Sequence, residues 1–165
     1  MYKILFICTD NVGRSLTAKY LFEDWLRKNN RDDIAVSSAG INATSDVSSF
    51  TMDHIGKLKE MGVDVVGYTR TQLTYEVLKE HNLAIVMDTE EQLWVREKFN
   101  VEIPLYNEIY KNEKTPVLIT VPGMTETISE RLLKMVDYIA QSIPVLAEKI
   151  DEMVKGSDQN NKNIL

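Results

Sequence analysis

Apolar runs of strand length alternate along this chain with amphipathic helical stretches, which predicts an α/β fold. The expected architecture is a doubly wound, mainly parallel four-stranded sheet with helices on both faces. Three observations carry this expectation. Lys3 to Ile7 is almost continuously apolar, as a strand buried on both faces requires. Ala18, Leu21, Phe22, Trp25 and Leu26 then recur at helical spacing. Leu83 to Met87 repeats the apolar run farther along, again ahead of a helical segment.

The elements follow in order. The first strand ends at Cys8, and a helix begins near Arg14. Ile34 to Ser38 reads as the second strand, with Ala39-Gly40 turning the chain. A polar loop over 42–49 leads into a helix that carries Ile55, Leu58 and Met61 and stops at Gly62. Val63 to Val66 forms a short extended piece, and Thr74 caps a brief helix through Leu78. Strand 83–87 precedes a helix from about Glu90 to Phe99. Residues 101–105 and 117–120 are further strand candidates. Thr127-Ile128-Ser129-Glu130 is a capping-box signature. Behind it Ile128, Leu132, Met135, Val136, Ile139 and Ile143 form one apolar face, and Pro144 predicts a kink. These elements make one domain over residues 1–155, with 156–165 as a polar, disordered tail.

The first strand-to-helix turn holds the chemistry. Cys8, the sole cysteine, is followed by Thr9, Asp10, Asn11, Val12 and Gly13, and then by Arg14 and Ser15. Free N–H groups at a helix N-terminus and the helix dipole favour an anion there. Successive N–H groups in such a turn form a concave nest for phosphate oxygens. The predicted phosphate-binding set is therefore Thr9, Asp10, Asn11, Val12, Gly13, Arg14 and Ser15. The same field favours the thiolate of Cys8, the nucleophilic form. Arg14 supplies a planar fork for two phosphate oxygens, and Ser15 a hydroxyl for the sulfur. Cys8, Arg14 and Ser15 are the predicted catalytic residues. A buried cysteine ending a strand also serves as a small core residue, and that is the competing reading.

Composition narrows the partners. A net charge of −6 over 165 residues, without a basic cluster, argues against nucleic acid. No apolar stretch has the length of a membrane span and no signal-peptide pattern opens the chain, so a cytoplasmic protein is expected. One cysteine allows no internal disulfide. His54 and His81 stand apart from any second ligand and read as core or surface residues, so neither metal nor cofactor is expected.

These residues resemble the low-molecular-weight protein tyrosine phosphatases over roughly 3–150. The family's Cys-x-Gly-Asn-x-Cys-Arg-Ser-Pro corresponds to Cys8 through Leu16 here. Its Ser-Ala-Gly is Ser38-Ala39-Gly40, and its Gly-Ile-Asp through Gln-Leu-Thr is Gly62-Val63-Asp64 through Gln72-Leu73-Thr74. Its Met-Asp is Met87-Asp88. The resemblance implies a phosphatase working through a phospho-cysteine on Cys8, with Arg14 as phosphate clamp. It also implies that Asn11, Ser15 and Ser38 form a hydrogen-bonded network supporting the loop. Phosphorylated proteins or small aryl phosphates would be the substrates.

The departures from the family pattern bear on activity. Ile119-Thr120-Val121-Pro122 stands where the family has its Asp-Pro general acid, so Val121 occupies the acid position. Losing such a group typically costs roughly 10²–10⁴ in rate. Glu126 and Glu108 are the nearby carboxylates, and each reads better as a solvated surface group. Asp10 replaces a loop glycine, Gly13 a second cysteine, and Tyr68 a histidine. Thr44 and Gly123 stand where aromatic walls are expected. A slow phosphatase is thus the leading expectation. A weak or inert phosphate-binding pseudophosphatase is the alternative, followed by an arsenate reductase using an external thiol.

Overall fold

A computed structural model describes residues 1–119 and 125–162, with side chains described to residue 157. Strand β1 (Tyr2–Cys8) lies between β2 (Ile34–Gly40) and β3 (Leu83–Val86), and both pairings are parallel. The register runs from Tyr2↔Ile34 to Cys8↔Gly40 on one side and from Ile4↔Leu83 to Ile7↔Val86 on the other. The chain moves from β1 out to β2 and then back across to β3. The order therefore reverses beside β1, and the crevice of such a sheet opens beyond the carboxyl ends of its strands. Cys8 sits at that end.

Alternation along β1 divides the core between the two faces. Ile4, Phe6 and Cys8 pack with Leu16 and Phe22 of α1 (Arg14–Lys28) and with Leu132 and Ile139 of α6 (Ile128–Lys162). Leu5 and Ile7 face Leu73, Leu105 and Val95, the last in α4 (Thr89–Phe99). Helices α2 (Asp53–Glu60), α3 (Tyr75–Lys79) and α5 (Tyr106–Lys111) complete the described elements. Among the described residues, no helix is long and apolar enough to cross a membrane.

The parallel α/β architecture matches the expectation, with three strands rather than four among the described residues. In the 101–105 segment, only Leu105 bridges Val86. Pro104, its neighbour, has no N–H for a ladder and contributes only a carbonyl, which accepts from Val86 N–H at 3.1 Å. The 117–120 candidate reduces to one bond, Val117 N–H to the Met87 carbonyl at 2.7 Å, and Thr120 lies outside the described residues. Strand β2 runs on through Gly40 instead of turning at Ala39. Helix α2 buries His54 and Leu58, whereas Ile55 is half-buried and Met61 exposed. The Thr127–Glu130 capping box forms with both reciprocal bonds, at 2.9 and 3.2 Å. Pro144 lies inside α6, which includes the polar residues 156–162.

Candidate functional site

The turn from β1 to α1 has its carbonyls tied to its outside. Cys8 O accepts from Ile41 N–H at 3.0 Å and Thr9 O from Asn42 N–H at 2.8 Å. Asp10 O accepts from Arg70 Nε–H at 2.9 Å and Val12 O from His54 Nε2 at 2.7 Å. Gly13 O accepts from Thr17 N–H at 2.9 Å as α1 starts. In a planar trans peptide, C=O and N–H point in opposite directions. Holding these oxygens outward therefore aims the N–H groups of Thr9, Asp10, Asn11, Gly13 and Arg14 into the turn. Asn11 N–H does lie 3.3 Å from Cys8 Sγ. The result is a nest of amides around the sulfur.

Cys8 is 2% exposed at the floor of this nest. Its Sγ lies 2.9 Å from Ser15 Oγ. Asn11 Nδ2 donates to that same Ser15 oxygen at 2.9 Å, which leaves the hydroxyl hydrogen for the sulfur. Asn11 Nδ2 also reaches Ser38 Oγ at 3.0 Å, and Asn11 Oδ1 accepts from Thr71 N–H at 2.7 Å. Asn11 thereby joins Ser15, Ser38 and Thr71 in one set of hydrogen bonds. Asn11 adopts φ 55°, a left-handed conformation that asparagine tolerates better than most residues. Gly40 packs directly against the loop. A Cβ there would lie 2.7 Å from Thr9 O and 2.9 Å from Asn11 N, so only glycine fits.

Arg14 has five N–H donors, and four hydrogen bonds leave its two Nη groups among the described residues. Nη1 donates to Asp88 Oδ2 at 2.6 Å and to Val117 O at 3.2 Å, and Nη2 to Glu91 Oε1 at 2.9 Å. A longer bond runs from Nη2 to Thr9 Oγ1 at 3.5 Å, and Nε–H, on the edge it shares with Nη2, has no partner among the described residues, so that edge has the geometry of a phosphate clamp. Glu91 is fully buried and also accepts from Thr9 Oγ1 at 2.9 Å and from Asp88 N–H at 2.6 Å. Asp88 and Glu91 form the capping box of α4, so a helix start doubles as the mount for Arg14. Burial, partly offset by Arg14, pushes the Glu91 carboxyl up to about 7. Burial acts the same way on Asp88, but the bond and charge of Arg14 outweigh it and hold that carboxyl below its ordinary range.

The cleft above the nest is lined by Thr9, Asp10, Arg14, Phe50, Glu90 and Ile119, among others. The Asp10 carboxylate accepts from Ser45 Oγ, which ties it to a neighbouring loop rather than to the sulfur. Phe50 provides an aromatic wall that sequence reading missed, while Thr44 is exposed. Gly13 lies under Ile119, whose Cδ1 would be 2.9 Å from an added Cβ. Val121 and Gly123 lie outside the described residues. Neither proposed stand-in for the acid faces the cleft. Glu108 accepts from Leu105 N–H at 3.2 Å as a cap of α5, and Glu126 pairs with Lys134 in an adjoining cleft. The Tyr68 hydroxyl is buried without a hydrogen-bond partner among the described residues. Burial first, and then the charge of Cys8, raise its pKa. Asp88-x-x-Glu91 was readable as a cap; nothing in the sequence marked His54, Arg70 or Phe50 as neighbours of the loop.

A family model described as low molecular weight phosphotyrosine protein phosphatase matches residues 3–156. The chain belongs to that family. The fold that carries this nest is thus a phosphatase fold. Solved structures agree at the level of fold. A low molecular weight protein tyrosine phosphatase from T. tengcongensis is 23% identical, with TM-score 0.74, covering 90% of this chain and 99% of that one. The YwlE arginine phosphatase from Geobacillus stearothermophilus is 25% identical, with TM-score 0.74, covering 93% and 95%. A cysteine-to-serine mutant of a YwlE arginine phosphatase, with a phosphorylated active-site serine, is 20% identical, with TM-score 0.76 and coverage of 90% and 95%. A search of curated proteins found no match.

Proposed function

We propose that this phosphatase hydrolyses phosphate monoesters of the phosphotyrosine type through a phospho-cysteine on Cys8. The supporting observation is that one nest gathers Sγ, inward amides and the Nε edge of Arg14. The phosphoryl oxygens sit on the amides and on the Arg14 fork, which neutralise charge as it develops. The Cys8 thiolate attacks phosphorus in line, forming an S–P bond as the P–O bond to the leaving group breaks. Water then attacks phosphorus, the S–P bond breaks, and phosphate leaves. Ser15 and the Asn11 amide stabilise the departing thiolate.

Val121 at the acid position leaves the departing oxygen to take its proton from solvent. Turnover is therefore slow on poor leaving groups and faster on acidic phenols. One assay series tests this reading. Aryl-phosphate turnover falls to background in Cys8→Ser and at least about a hundredfold in Arg14→Ala, and Val121→Asp raises it most for the least acidic phenol. Equal rates in wild type, Cys8→Ser and Arg14→Ala refute it. Phosphate binding without turnover in any of them marks a pseudophosphatase instead.

The cleft mouth favours a second substrate reading. Asp88 and Glu90 face it, and carboxylates there suit a cationic stem. Two of the similar structures are arginine phosphatases. A phosphorylated guanidinium releases a neutral guanidine, so the leaving nitrogen already carries the proton that an oxyester lacks. The ratio of kcat/KM on phosphoarginine and phosphotyrosine peptides decides between the two.

A further inference from the structure

We propose that His54 is a positioning residue, which aims the Gly13 amide into the anion nest by holding the Val12 carbonyl on the outside of the loop. The inference rests on the phosphate-binding reading above. His54 comes from α2, 42 residues along the chain, yet its Nε2 lies 2.7 Å from Val12 O and the residue is fully buried. A carbonyl oxygen only accepts, so Nε2 carries the proton. Nδ1 is then buried with no partner among the described residues. A polar ring with an unsatisfied atom is a poor core residue, and an apolar side chain of similar size would pack there without that penalty. What the imidazole adds is one bond to the loop.

That bond falls where the loop needs outside support. Gly13 has φ −112° and ψ −85° at the N-cap of α1, and no side-chain cap bond fixes it. Glycine lets the Val12–Gly13 peptide rotate more freely than any other residue would. The carbonyls of Cys8, Thr9 and Gly13 are held by backbone N–H groups. Those of Asp10 and Val12 are held by side chains, Arg70 and His54 respectively. Arg70 is braced further by the Ser45 carbonyl at 2.8 Å and the Ser45 hydroxyl at 2.7 Å. For Val12, His54 is the one side-chain donor among the described residues. With the oxygen held outward, the trans peptide turns Gly13 N–H toward the anion.

The test measures binding of inorganic phosphate, not turnover, in wild type, His54→Phe and His54→Gln. Phe keeps the ring volume and loses the bond, whereas the Gln amide restores an N–H donor. Phosphate binds about tenfold more weakly to His54→Phe, and His54→Gln recovers most of the loss. The Gly13 amide resonance, which shifts with phosphate in wild type, responds in Gln and not in Phe. Nitrogen spectra of wild type show the imidazole proton on Nε2. This last measurement uses the unaltered protein, so a variant that fails to fold does not leave the matter open. A proton on Nδ1, or wild-type affinity and an unchanged Gly13 response in His54→Phe, overturns the inference and leaves the phosphatase reading intact. Absence of phosphate binding to wild type overturns both.

Discussion

Glu91 shows how one buried residue ties charge to stability. Its carboxylate accepts from Arg14, Thr9 and the Asp88 amide, yet burial outweighs these donors and lifts its pKa from the ordinary 4.5 to about 7. A carboxyl whose folded pKa is raised binds its proton more tightly in the folded state. Its contribution is fully present below the unfolded value and is lost as pH rises through about 7. Asp88 has the opposite sign, and its contribution is lost as pH falls through its depressed folded value, below 3.8. The two windows do not overlap. Chemical denaturation should therefore show the Glu91 contribution, up to about 3 kcal/mol, being lost between pH 4.5 and pH 8 when wild type is compared with Glu91→Gln. Glu91→Gln should flatten that slope while lowering stability overall, because its amide group faces a donor at Arg14 or at Asp88 N–H. An unchanged slope in the variant would assign the titration elsewhere.

At the scale of elements, the loop and the end of β2 form one unit. Gly40 closes β2 against Thr9 and Asn11 while Ile41 and Asn42 hold the carbonyls of Cys8 and Thr9. Gly40→Ala places a methyl 2.7 Å from Thr9 O, so strand or loop must shift. Overpacking of this kind costs about 1–3 kcal/mol. Because the shift occurs at the nest, phosphate affinity should fall along with the melting temperature. A melting temperature that drops while affinity holds would separate the strand from the loop.

Whole-molecule organisation explains what was legible in the sequence. Cys8, Arg14 and Ser15 are neighbours along the chain, and a strand-to-helix turn brings them together wherever the rest goes. The alternation of apolar runs and helical faces likewise announces a parallel sheet, whose order places the nest at a switch point. The supports were hidden because they arrive through tertiary contacts. Arg70 reaches Asp10 across 60 residues, Arg14 reaches Asp88 across 74, and Phe50 enters the cleft from a loop without periodicity. Segment 101–105 looked like a strand from its apolar residues, but one proline reduced it to a bridge. His54 read as core or surface and is core; its bond to the loop had no sequence signal.

All of this converges on a sulfur that should carry the phosphoryl group between two half-reactions. The direct measurement is acid-quenched mass spectrometry of the protein during turnover of an aryl phosphate. A phosphoryl group on Cys8, formed as the phenol is released and absent from Cys8→Ala, is the predicted result. Steady turnover with Cys8 unmodified, or full activity in Cys8→Ala, would contradict it.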